Sequence, residues 1–137
     1  MVTALLIAGV IIAALIVGTI YRNRVGRIKN INEVKHVVSA SDIGTELGSV
    51  ATILQFSSAF CAPCRITRGT LSTVVTSFTG IKHVEIDAEK NLELVRRLDI
   101  RQTPTTLFLN SAGQEIARAV GAPKRDQVIS ALELISG

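Results

Sequence analysis

The chain has 137 residues, a formal net charge of +4, and two cysteines three positions apart. So close a pair restrains almost none of the unfolded chain, which excludes a disulfide-stapled miniature fold. The excess charge lies within residues 22–36, where Arg22, Arg24, Arg27, Lys29 and Lys35 face Glu33 alone while the remainder is neutral; a basic nucleic-acid-binding face on a folded domain is therefore not expected.

Val2 to Tyr21 contains no charged side chain. Twenty residues at a rise of about 1.5 Å span about 30 Å, the thickness of a bilayer's hydrocarbon core. Tyr21 stands where an aromatic interface anchor would, just before the arginines. A cleaved signal peptide is the rival reading. It would carry a basic first region, a shorter apolar run and a small-x-small cleavage site, whereas this run is long and ends in Tyr21-Arg22-Asn23-Arg24. The expectation is a single-pass anchor over residues 1–21, a basic juxtamembrane linker over 22–34 and a folded domain over 35–137. The linker would be a solvated spacer that meets anionic lipid headgroups. Positive charge C-terminal to the span predicts that the domain faces the cytoplasm.

Within the domain, Lys35–Ser39 reads as a short first strand. Ser41 and Asp42 can cap a helix running to Leu47, stopped by Gly48. Val50–Phe56 is apolar and β-rich, as a buried central strand should be. A helix then runs from the cysteines to about Phe78, ended by Thr79-Gly80. His83–Asp87 alternates like a strand, and Asn91–Leu98 has helical periodicity. After Thr103-Pro104 comes a strand over Thr105–Leu109. Asn110–Gly113 is a hairpin turn, and Glu115–Val120 pairs back. Pro123 opens a last helix with Val128, Ile129, Leu132 and Ile135 on one face. The order β-α-β-α-β-α-β-β-α predicts an α/β sandwich, a central mixed sheet flanked by helices.

The chemistry concentrates at Cys61-Ala62-Pro63-Cys64. Spacing i, i+3 at a helix start places two sulfurs within one turn. The first lies at the helix N-terminus, where free N–H groups and the dipole favour a thiolate. Cys61 is the candidate nucleophile and Cys64, deeper, the resolving thiol. Pro63 suits a first turn that does not need its N–H. Phe56 and Phe60 are expected to pack the motif against the strand. Half a zinc site has the same spacing, but the other ligand candidates, His36 and His83, form no local pair; no metal and no bound organic cofactor is expected.

The run Ile53-Leu-Gln-Phe-Ser-Ser-Ala-Phe-Cys61-Ala-Pro-Cys64-Arg65 resembles the active-site region of the thioredoxin family. Thr103-Pro104-Thr-Thr-Leu-Phe is similar to its cis-proline strand, and His83–Asp87 and Val120-Gly121-Ala122 to its third strand and late glycine turn. The resemblance covers residues 35–137 without insertions between Cys64 and Pro104. It implies a thiol–disulfide oxidoreductase that reduces protein disulfides and is recharged by an external reductase or dithiol donor. It also implies a cis Pro104 against the dithiol, with Thr103, Phe60, Ala62 and Pro63 contacting substrate. Three positions depart from the family: Phe60 replaces a tryptophan, Ala62 a glycine, and Gln55 the buried aspartate that accepts the resolving cysteine's proton. The family's basic partner on the third strand is here His83, so His83, or water ordered by Gln55, is the candidate for proton transfer; a strand histidine without a role is the competing reading. Two alternative functions keep the same site: an extracytoplasmic protein for disulfide formation or cytochrome maturation, and a non-catalytic redox-sensing or binding module.

Overall fold

The computed structural model describes all 137 residues. Helix α1 (Val2–Arg24) is continuous and none of its residues is buried. Its length and apolar composition suit a membrane span or a signal sequence. The remaining elements are β1 (Ile28–Asn30), α2 (Ala40–Ile43), β2 (Ala51–Ser57), α3 (Ala62–Val75), β3 (Ile81–Asp87), α4 (Leu92–Arg97), β4 (Thr105–Asn110), β5 (Glu115–Val120) and α5 (Arg125–Ser136). The five strands form one mixed sheet in the order β1-β5-β4-β2-β3. Only β2 and β3 run parallel; the other neighbours are antiparallel.

Period-2 alternation along β2 divides the core into two layers. Ala51 and Ile53 face Leu71 and Val74 of α3 and Val128 and Leu132 of α5. Leu54 and Phe56 face the opposite layer, with Ile43, Leu94, Leu98 and Leu107. Every residue of β2 is buried, as a central strand covered by helices on both faces requires.

Three local expectations change. The strand expected at Lys35–Ser39 is reduced to one bridge, Val37 to Gln114. The edge strand is instead Ile28–Asn30, inside the stretch expected to be a free linker, and it pairs with Ala117–Ala119. With only three residues and two exposed side chains, β1 gives no periodic apolar signal; its backbone partners on β5 define it. Helix α2 starts one residue after Ser39, whose N–H donates to Asp42 Oδ2 at 2.7 Å. It stops at Gly44 rather than Gly48, because Gly44 takes the left-handed conformation that closes a helix.

Candidate active site

Cys61 caps α3 from outside the helix, and its Sγ accepts the Cys64 N–H at 3.2 Å. The two cysteines are joined in a disulfide with Cα atoms 5.2 Å apart. Cys61 is half-buried, Cys64 is 1% exposed, and Ala62 and Pro63 between them face solvent. An incoming sulfur therefore reaches Cys61 first. In the reduced state the Cys64 N–H and the open end of α3 would favour a thiolate at Cys61.

Phe60 departs from expectation. It lies at φ 57°, a left-handed backbone for a bulky residue, and its side chain is fully exposed. That turn swings the ring away from Phe56, which remains buried in the opposite layer. Instead of packing beneath the dithiol, Phe60 projects beside it. Backbone in this region costs free energy and concentrates at functional sites.

The loop before β4 closes the site from the other side. The Thr103–Pro104 peptide is cis. Thr103 Oγ1 lies 2.7 Å from Ser58 Oγ, joining this loop to the segment leading to Cys61. Pro104 is buried, and its carbonyl accepts the Gly121 N–H at 2.8 Å.

Beneath Cys64 runs a polar seam. Residues Cys64, Arg68 and Ser72 occur at i, i+4 and i+8 and so share one face of α3. Gln55 and Ser57 of β2 and His83 and Glu85 of β3 lie opposite, in register as neighbouring strands place them. Gln55 is fully buried. Its Nε2 donates to the Cys64 carbonyl at 3.0 Å and to Ser57 Oγ at 2.9 Å. The Cys64 carbonyl can only accept, which fixes the amide's orientation and leaves Gln55 Oε1 as acceptor. His83 Nε2, 3.0 Å away, is then the donor. The other ring nitrogen, Nδ1, faces Ser72 Oγ at 3.4 Å. Arg68 pairs with Glu85 through both carboxylate oxygens, at 2.5 and 2.6 Å.

The electrostatics follow from this packing. Burial pushes the His83 imidazole below its ordinary value, partly offset by the Glu85 charge and reinforced by Arg68. His83 is therefore neutral at pH 7, with an unprotonated Nδ1. The Arg68 guanidinium holds the Glu85 carboxyl below the usual carboxylate range. Thus Cys61, Cys64, Gln55, His83, Thr103 and Pro104 all belong to one connected region. Reading residue by residue missed Ser57, Ser58, Arg68, Ser72 and Glu85; the shared i, i+4, i+8 face of α3 over two polar-containing strands was the signal for most of them.

The thioredoxin family model matches residues 34–134. The chain belongs to the thioredoxin family. It is 32% identical over 74 residues to thioredoxin H5 of Oryza sativa subsp. japonica, a match covering 54% of each chain. It is 27% identical over 85 residues to thioredoxin 1 of Nostoc, covering 61% of this chain and 78% of that protein. The chain spans about half to two thirds of the length of the rice thioredoxins it matches. The fold is shared with thioredoxin-2 of the malaria parasite, at a TM-score of 0.59 and 18% identity over 66% of this chain and 88% of that one. It is likewise shared with thioredoxin NaTrxh of Nicotiana alata, at a TM-score of 0.58 and 22% identity over 65% and 76%.

Proposed function

We propose that this thioredoxin-family chain is a thiol–disulfide oxidoreductase that reduces disulfides of protein substrates while held at a membrane by α1. The observation that carries the reading is the pairing of a half-buried Cys61, at an open helix end, with an almost fully buried Cys64 one turn on. In the reduced protein the Cys61 thiolate attacks one sulfur of a substrate disulfide. That S–S bond breaks, and the departing sulfur leaves as a thiolate that takes a proton. Cys64 then loses its proton and attacks the Cys61 sulfur, releasing the second substrate thiolate. Two electrons have passed to the substrate, and the protein holds the Cys61–Cys64 disulfide until an external dithiol donor or reductase reduces it.

Substrate backbone would lie along the Thr103–Pro104 loop by strand addition, with Phe60, Ala62 and Pro63 as the apolar rim. Gln55 cannot accept the proton from Cys64. The neutral His83 imidazole can, at its unprotonated Nδ1, which faces Ser72, through water on that side of the ring, and its gain of charge would then stabilise the Cys64 thiolate across the Gln55 amide.

Trapping tests the exchange itself. Cys64→Ser should accumulate a mixed disulfide between Cys61 and a substrate protein, seen as a reductant-sensitive adduct by mass spectrometry. Absence of any such adduct, with Cys61 reduced at the start, would defeat the reading. The cytoplasmic side is favoured by the arginines that follow the span. A membrane-impermeant maleimide should leave both cysteines unlabelled in intact cells and label them after permeabilisation without reductant. Labelling from outside would transfer the domain to an extracytoplasmic role.

A further inference from the structure

The segment after α1 does not behave as a tether. Val25 N–H still donates to the Tyr21 carbonyl at 3.0 Å, so the helix remains intact to its end. One residue later, Gly26 N–H donates to the Val120 carbonyl at 2.6 Å. Only Val25 separates the helix from its first bond to the sheet. Gly26 takes φ 80° and lies so close to the Ala122 carbonyl that a Cβ would collide with it. Gly121, at φ 88°, is equally constrained: a Cβ there would stand 2.5 Å from Val25 Cγ1 and 3.1 Å from Gly26 N. The two glycines permit a backbone-on-backbone dock. Strand β1 then locks it with a three-residue ladder to β5, and Ile31 N–H adds a bond to the Ile116 carbonyl at 2.8 Å.

The dock sits beside the redox site. Gly121 bonds the Pro104 carbonyl, Thr103 bonds Ser58, and Ser58 lies three residues before Cys61. Distances along the chain are equally short. From Tyr21, three helical residues and two extended ones reach Gly26 over at most about 12 Å. The headgroup layer is itself about 5–7 Å deep on each side. Arg22, Arg24 and Arg27 bracket this junction, and none has a carboxylate within 4 Å, leaving them free for lipid phosphates.

We infer that the docked junction holds the dithiol at the bilayer surface, so that the preferred substrates are disulfides in segments of membrane proteins lying next to the bilayer. The inference rests on the proposed oxidoreductase activity and on α1 spanning a membrane. A freely tethered domain would sample disulfides at many heights; a docked one has a fixed, short reach.

The test uses the full chain in phosphatidylcholine–phosphatidylglycerol vesicles with dithiothreitol as donor. Two lipid-anchored disulfide peptides are compared, one with its disulfide next to the bilayer and one raised about 45 Å on a helical spacer of about 30 residues. Soluble insulin is the control. The near peptide should be reduced about tenfold faster than the raised one. An insert of about 24 Gly/Ser residues between Arg24 and Val25, averaging about 27 Å end to end, should bring the two rates within about twofold while insulin turnover stays unchanged. Equal rates in the native chain, or a preference that survives the insert, overturns the inference. Protein that washes off the vesicles in carbonate removes the membrane span and the inference with it. Loss of insulin turnover in the native chain instead strikes the oxidoreductase reading on which the inference stands.

Discussion

The two halves of β2 are equally buried and differently filled. In the first half, Ala51, Ile53 and Leu54 fill the two apolar core layers, and the buried Thr52 hydroxyl accepts the Gly48 N–H at 2.9 Å. Gln55 and Ser57, on the α3 side, are also buried yet join a chain of hydrogen bonds from the Cys64 carbonyl to His83. In the first half burial stabilises the fold. In the second it arranges polar groups that water would otherwise scramble, and each must stay paired because an unpaired buried group is costly. Depth in the strand therefore does not separate structural from functional residues; chemistry at the same depth does.

Substitutions can sharpen this contrast. Ile53→Ala should cost about 3 kcal/mol in urea unfolding, by lost burial and the cavity left behind, while the pH profile of turnover keeps its shape. Gln55→Leu should cost less, about 1–3 kcal/mol, because it leaves the Cys64 carbonyl and the His83 N–H without their partner. Unlike Ile53→Ala, it should also alter the pH profile. Equal behaviour of the two variants in turnover would erase the distinction between the halves.

His83→Ala should change stability only modestly but remove a pH dependence. The folded imidazole titrates below its unfolded value of about 6.5. Between that value and the lower folded one, the unfolded chain binds more protons, so native stability falls as pH drops through the window. The alanine variant should show a flatter stability curve there and lose the turnover inflection assigned to the same group. An unchanged turnover profile would sink the proton-transfer role. The smallest effect is expected far from the seam. Asp42 is held at about 2, chiefly by hydrogen bonding to Arg97 and then to the Ser39 N–H. Its contribution is complete above about 3.8 and fades as pH falls toward 2. Arg97→Ala at neutral pH should cost less than about 1 kcal/mol, since the guanidinium is half exposed.

Much of the domain was legible because its elements carry strong patterns. The apolar run of β2, the hairpin turn at Asn110–Gly113 and the amphipathic face of α5 all lie where periodicity and turn chemistry put them. So did the disulfide pair, since two cysteines one turn apart at a helix start have few other uses. The early part of the domain was less legible. Ile28-Lys29-Asn30 has the composition of a spacer, and only backbone bonds to Ala117–Ala119 make it a strand. Phe60 was misplaced because residue type suggests a core aromatic, whereas its positive φ, set by the turn into α3, points it to solvent. The Gln55–His83 contact needed the β2–β3 register, which a parallel crossover conceals from local reading.

The central claim is that Cys61 is the attacking thiol of an exchanging pair. The most direct measurement is insulin disulfide reduction by the full chain with dithiothreitol as donor, beside Cys61→Ser. Acceleration well above dithiothreitol alone, abolished in Cys61→Ser, is the predicted result. Acceleration that survives Cys61→Ser, or none in the native protein, would contradict it.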